Sequence, residues 1–517
     1  MELVHRFLEA GARQTPNKVA LVCGSERVTY AWLDATANRL ANALIVDGVG
    51  RGGRVAIFLE NSVQTVVAIF GILKAGAAFS AINPSTKVDK LAYLLRDERA
   101  AALITANDAQ RRRTVGSLPL GTVPRIVWVG GIPEDRLPGG AVQRDWDDWL
   151  AAASDAQPTV ESSEDDLGTI LYTSGTTGSP KGVMAAHRDM VFAATAIATY
   201  LKNTADDVIF CALSLAFTYG LYQLITGVLV GATLVLEKNF VFPSRALEVM
   251  CRERATAFPG VPTMFALVLG LASLPEYDLG SLRYLTNAAA PLPVRYVAGL
   301  RAAFPQARIF AMYGQTETKR TSYLPPEELD RRAGSVGLAI PGTEAYVADE
   351  RGRPVPPEVV GELVVRGPHL MRGYWGQPEE TARRLRPGPN PGEQVLHTGD
   401  LFRMDADGFL YFVSREDDII KSRGEKVSPT EIEHALFGLA GVRDVAAVGV
   451  PDPLLGEAVK VFVVRDEGAT LTERDIRAHC ARHLEDFMVP KHVEFRAAVP
   501  RNENGKTLRA ELRTCVA

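Results

Sequence analysis

The chain has 517 residues, 47% hydrophobic and 23% charged, with a formal net charge of −4. That length suits roughly three to four domain-sized units, and the composition is that of a globular protein rather than a fibrous or disordered one. The charge balance supplies no global field for nucleic acid or an anionic membrane.

In chain order, the N-terminal stretch "MELVHRFLEAGARQTPNK" is amphipathic and lacks the apolar core of a signal peptide. "GGRVAIFLENS" reads as a strand and "VQTVVAIFGILKAGAAFSAI" as a helix and its exit, while "AALITA" and "RIVWVG" are further strands. Leu221 to Leu236 form the longest apolar run. It is too short to span a bilayer and contains Gly227 and Gly231, so it predicts a buried helix passing into a buried strand. The alternation continues past residue 310 and predicts an α/β fold of helix-covered sheets. After Asp400 the pattern changes. Asp407-Gly408 marks a hairpin, Ser428, Pro429 and Glu431 fit a helix N-terminus, and two strands, a helix from about Glu473 and a final strand follow. They predict a small α+β domain of about 100 residues. The charged joint from Arg415 to Asp418 has no flexible-linker composition and suggests a hinge. The five scattered cysteines predict neither disulfides nor a zinc cluster, and a reducing, cytoplasmic setting is expected. "HCARH" (His479 to His483) reads as an ordinary helix face.

The most unusual stretch is "LYTSGTTGSPKG", Leu171 to Gly182. Between Thr173 and Lys181 it carries five hydroxyls, two glycines, a proline and a lysine, the ingredients of a cradle for phosphate oxygens. It lacks the Gly-Lys-Ser/Thr ending of a P-loop. "MYGQTET" (Met312 to Thr318) sets Glu317 beside a tyrosine and hydroxyls, "HTGD" ends an apolar run with Asp400, "SREDDIIKSRGEKV" follows, and "PRNENGKTLR" places Lys506 after Asn-Gly.

Together, in this order and at this spacing, these motifs resemble the adenylate-forming superfamily: acyl-CoA synthetases, firefly-type luciferases and peptide-synthetase adenylation domains. The resemblance covers essentially the whole chain. It implies a large N-terminal domain (1–416) and a mobile C-terminal domain (417–517). It also implies two half-reactions: a carboxylate attacks the α-phosphorus of ATP to give acyl-AMP and pyrophosphate, then a thiol displaces AMP. Thr173, Ser174, Gly175, Thr176, Thr177, Gly178 and Lys181 would hold the β- and γ-phosphates. Glu317 would ligate Mg²⁺, with Thr316 by the α-phosphate. Tyr313 and Gly314, with the Ala289, Ala290 and Pro291 backbone, would hold adenine, and Asp400 and Arg415 the ribose. Lys506 is similar to the lysine that bridges carboxylate and α-phosphate. Asp417 is similar to the hinge residue, and Lys421 and Gly424 to the opposite face that forms the thiol tunnel.

Two departures stand out. Ser414 precedes Arg415 where many members have glycine, and Phe217 stands where many acyl-CoA synthetases have histidine. The stretch "SLAFTYGL" also lacks the aspartate with which amino-acid-activating relatives pair the substrate ammonium. Since an unpaired buried ammonium is costly, an acid without an α-amino group is expected. Phe217, Tyr219, Gly220, Val261, Pro262, Asn287 and Ala288 are the expected acyl pocket, mostly apolar, suiting a fatty, alicyclic or aryl acid. CoA is the expected thiol. The alternative is a phosphopantetheine carrier protein docking in trans, and the basic pair Arg423 and Lys426 suits either acceptor. No luciferase-type signal is present. A non-catalytic relative would have lost Lys506, Glu317 or Asp400, and all three remain.

Overall fold

A computed structural model describes every residue except Met1, Leu120, 135–139, 174–179, Pro291, 416–417, 423–424, 453–454, Glu485, 503–505 and 515–517; the side chains of Lys421, Glu425 and Lys426 also lie outside it. The described residues form three sheets. The chain's α/β alternation builds the first two, and its final part builds the third.

The central sheet has 14 strands. Its core is parallel: Val19–Cys23, Thr233–Leu236, Val208–Cys211, Ala257–Gly260, Tyr284–Asn287 and Arg308–Tyr313 run side by side. Beyond Tyr313 the sheet turns antiparallel through Ser322–Tyr323, Ser335–Ala339 and Leu410–Arg415. The second sheet has 8 strands and contains the runs read from sequence, Arg54–Phe58, Ala102–Ala106 and Arg125–Val129.

Helices fill the space between these sheets. In Val63–Lys74 every residue but Gln64 is buried, as expected of a helix that is apolar all round. Its last residue, Lys74, is satisfied by Asp34 at 2.8 Å, Asn38 at 2.8 Å and Glu9 at 3.2 Å. The run from Leu221 to Leu236 is the predicted helix and strand, Thr218–Val230 and Thr233–Leu236, with Gly231 in the left-handed region where the helix ends. No helix among the described residues is long and apolar enough to cross a membrane.

The third sheet, of 5 strands, carries helices Pro429–Phe437 and Glu473–His483 over one apolar layer and Leu512 of helix Arg509–Thr514 over another. Ser428 caps the first of these, accepting from the Glu431 N–H, and donates to the Val413 carbonyl at 2.6 Å. His479 reaches the Ala435 carbonyl at 2.9 Å, and no metal-binding cluster occurs among the described residues.

The antiparallel extension depends on one close backbone approach. Gly337 has φ +86°, and a β-carbon there would lie 1.8 Å from the Tyr323 carbonyl oxygen. Gly337→Ala therefore combines left-handed strain with a backbone clash, and a loss of about 2–4 kcal/mol is expected. A melting temperature equal to that of the unaltered protein would contradict this packing.

Candidate active site

Ligands in open parallel sheets gather outside the carboxyl ends of the strands, where the order or direction changes. Here Gly260, Asn287 and Tyr313 end three neighbouring parallel strands, just where the sheet becomes antiparallel. A cavity of about 650 Å³ opens over those ends.

One wall is built by residues around the start of helix Thr218–Val230. Phe217 precedes the helix in extended conformation, which turns it into the cavity with Tyr219 and Gly220. Tyr219 is pinned at depth: its hydroxyl meets Thr286 Oγ1 at 2.7 Å, the Thr286 carbonyl at 2.8 Å and the Gly260 carbonyl at 3.3 Å. Gly220 admits no side chain, because a β-carbon would sit 2.3 Å from the Ser214 carbonyl oxygen. Val261, Asn287 and Ala288 complete the wall. Pro262 does not line it; its ring starts helix Pro262–Leu269 at a position where the missing N–H costs nothing.

At the other end, Asp400 is 3% exposed and its carboxylate accepts from three donors. Tyr313 Oη donates at 2.6 Å, Gln315 Nε2 at 2.7 Å and Arg415 Nε at 3.0 Å. Burial, and then the Asp400 charge, push the Tyr313 phenol well above its ordinary pKa, so it stays a donor. The Tyr313 ring packs edge-on against Phe402 at 4.9 Å and faces Phe412 at 6.4 Å. Gly314, Thr316, Ala289 and Ala290 line the same end, with Ala289 in the left-handed region at φ +72° and Asn287 Nδ2 donating to the Ala290 carbonyl at 2.9 Å. Pro291 lies outside the described residues.

The loop "SGTTGS" also lies outside them, including Ser174, Gly175, Thr176, Thr177 and Gly178. Its two ends are described. Thr173 closes strand Leu167–Thr173, and Lys181 opens the antiparallel strand Lys181–Ala186 opposite it. Lys181 is mostly buried and donates to Glu380 at 2.6 Å. Glu317 stands nearby but off the cavity wall, where Tyr374 Oη donates to its Oε1 at 2.8 Å. A half-buried carboxylate, with no cluster of three or more metal ligands among the described residues, fits a hard cation held chiefly by phosphate and water oxygens rather than a cation caged by protein.

The small unit delivers Lys506 and Asn502 into the cavity, together with His434 and Phe437. Arg295 of the large unit donates to the Val442 and Arg443 carbonyls at 2.9 and 3.0 Å and lies over the Phe437 ring. Burial, then repulsion from Arg415, lowers the Lys506 pKa to about 8, with Asp400 and Asp418 pulling the other way. Lys421 sits on strand Ile420–Ser422, its backbone paired with Lys426, and its side chain lies outside the described residues. Gly424 and Asp417 fall outside the described residues.

Four residues of this site were not anticipated from sequence. Gln315, inside the tyrosine motif, is a third donor to Asp400. Tyr374 and Glu380 come from a stretch with no motif of its own, yet they partner Glu317 and Lys181. Arg320, three residues past Glu317, lies beyond the tyrosine motif; it is 2% exposed and lines the same wall as Tyr219.

The comparisons agree with this geometry. The AMP-binding enzyme family matches residues 8–375, and the AMP-binding enzyme C-terminal domain matches residues 431–506. A feruloyl-CoA synthase from an Amycolatopsis species is 34% identical over 97% of this chain and 96% of its own. Two solved structures superpose along nearly their whole lengths. The anthranilate CoA ligase AuaEII in complex with anthranoyl-AMP has a TM-score of 0.89 at 29% identity, covering 99% of this chain and 97% of its own. ATP-bound MatB from Rhodopseudomonas palustris has 0.88 at 30% identity, covering 99% of each. A cavity at the parallel strand ends, a lysine brought to it by a second unit, and matches to both units place this chain in the AMP-binding enzyme family, the adenylate-forming superfamily.

Proposed function

We propose that this protein activates a carboxylic acid lacking an α-amino group and passes it to CoA. The reaction class is ATP-dependent acyl-CoA formation by an AMP-forming synthetase. The observation that carries the residue assignment is the meeting in one cavity of Lys506 from the small unit, Tyr313 and Arg415 from the large one with Asp400 hydrogen-bonded to both, and a largely apolar wall. Such chemistry needs alignment and charge neutralisation more than a protein nucleophile.

The acid lies along Phe217, Tyr219 and Val261 with its carboxylate toward Thr316. Asp400 accepts the ribose hydroxyls and Arg415 holds that carboxylate in place. Lys506 and Thr316 neutralise charge as the acid's oxygen attacks the α-phosphorus and pyrophosphate departs. Glu317, with phosphate oxygens, would hold Mg²⁺, which supplies further charge neutralisation at the phosphates. Thr173, Lys181 and the loop between them receive the β- and γ-phosphates, with Lys181 exchanging Glu380 for phosphate. In the second half-reaction the unit from residue 417 onward turns about Asp417, Lys506 leaves, and the Lys421–Gly424 face guides the thiol to the acyl carbonyl. A carrier-protein phosphopantetheine presents the same thiol, so the acceptor is a matter for measurement.

The first test is acid-dependent pyrophosphate release with Mg-ATP across fatty, aryl and amino acids, with and without CoA. Release with non-amino acids and a CoA thioester by mass spectrometry is expected; release confined to amino acids refutes the reading. Lys506→Ala should slow acyl-AMP formation by ~10²–10³-fold, the usual effect of losing one charge-stabilising donor, yet still convert supplied acyl-AMP to thioester. Equal loss in both half-reactions would remove Lys506 from its assigned role. The Lys506 pKa of about 8 adds a pH signature. The ammonium is lost as pH rises, so kcat/KM for pyrophosphate release should fall above that value. For stability the sign is opposite. A lysine held below its ordinary pKa disfavours folding while protonated, and that burden lifts as pH rises from about 8 toward 10.5. A flat rate profile from pH 7 to 10 contradicts the assignment.

A further inference from the structure

The acyl wall holds a buried cation without a partner. Arg320 is 2% exposed and lines the cavity, and its Nε is buried with no hydrogen-bond partner. No ion pair or side-chain hydrogen bond joins its guanidinium to any described residue. The nearby acids are engaged elsewhere. Asp189 takes Arg372 at 2.8 Å, Glu317 takes Tyr374, and Asp330, on the cavity rim, pairs with Arg301. What surrounds the guanidinium is aromatic: it lies over the Tyr219 ring at 5.2 Å, and Tyr200, whose pKa it lowers against a larger upward push from burial, is close by. A cation–π contact offsets only part of the desolvation of a charged group. Three other cations of the site have partners, Arg415 in Asp400, Lys181 in Glu380 and Lys319 in the His369 carbonyl at 2.7 Å, whereas Lys506, the cation assigned to the reacting end, has no ion pair among the described residues.

The Arg320 guanidinium lies on the Tyr219 side of the cavity. Tyr219, beneath it, is anchored at the Gly260 and Thr286 carbonyls on the strand ends, while Thr316, Arg415 and Lys506 gather where the small unit closes the cavity. We propose that Arg320 binds a second carboxylate, carried by the acyl substrate away from the one that is activated, so that the preferred acids are dicarboxylic. Arg320 then selects substrate by charge: a distal carboxylate completes its pairing, an unsubstituted apolar tail leaves it buried and unpaired, and an ammonium is repelled. This rests on the acid–CoA ligase reading and sharpens its substrate class.

The test uses the full-length enzyme and paired acids of matched skeleton: hexanoate with adipate, decanoate with sebacate, benzoate with terephthalate. The unaltered enzyme should favour the diacid of the best pair by ~10²-fold or more in kcat/KM, because a site built around a polar partner rejects the analogue that lacks it. Arg320→Met should collapse that ratio by a similar factor, mostly through KM, and without ligand should melt no lower than the unaltered protein, since it removes an unpaired buried charge. Release with monoacids and diacids alike, and a ratio untouched by the substitution, overturns the assignment while the ligase reading stands. Equal loss on all acids with a lowered melting temperature shows Arg320 to be structural and also overturns it. Absence of release with every acid in both proteins overturns the ligase reading and the assignment with it.

Discussion

Three donors converge on the buried carboxylate of Asp400, and most of the site follows from that convergence. A carboxylate removed from water is stable only when its oxygens are paired. Tyr313 and Gln315 reach it from the end of the central parallel strand, and Arg415 reaches it from the last strand before the small unit. The network therefore locks the floor of the cavity to the point at which the chain leaves for the third sheet. Lys506 then arrives beside an arginine that is already neutralised. Its lowered pKa reports how dry that corner is, and how much it would gain from an incoming phosphate and carboxylate.

The change from parallel to antiparallel pairing after Tyr313 is the second constraint. It lets the segment from Gly314 to Thr321 cross the strand ends instead of continuing the sheet. That segment carries Thr316 toward the reacting centre, turns Glu317 to Tyr374, and sends Arg320 back into the acyl wall. One short crossing thus serves both ends of the cavity. Its tightness shows at Gly314, where a β-carbon would lie 3.0 Å from the Arg320 α-carbon.

Charge is distributed unevenly over this architecture. Around the end of the cavity assigned to the nucleotide, Asp400, Arg415, Lys181 and Glu317 each have a protein partner that a phosphate, ribose or magnesium ion can replace or join, and Lys506 stands close to Asp400 and Arg415. In the acyl wall one charge has none. The first arrangement keeps a binding site stable before substrate arrives; the second makes the wall discriminating, because an unpaired buried charge is tolerated only where something completes it.

How much of this was legible in the sequence follows from how local each feature is. Strands such as Arg54–Phe58, the buried helix Val63–Lys74, the helix and strand after Phe217, the hairpin at Asp407-Gly408 and the cap at Ser428 are written in neighbouring residues, so periodicity and turn chemistry were sufficient. The loop from Thr173 to Lys181, the tyrosine motif, Asp400 and Lys506 stood out as motifs, because their residue types and spacing are local to the sequence. Partnerships were not. Glu380 with Lys181, Tyr374 with Glu317, and Arg295 with the Val442 carbonyl join residues far apart in the chain, and no local pattern encodes them. Pro262 and Arg320 show the same limit in opposite senses: a residue expected in the pocket turned out to begin a helix beside it, and an arginine that no motif singled out turned out to be buried in the cavity wall. By itself the sequence determined the α/β layering and the motifs that mark the family, because those depend on local patterning and residue chemistry. Only the tertiary structure decided which charges are neutralised and which face the acyl cavity alone, because that depends on what the folded chain brings within a few ångströms.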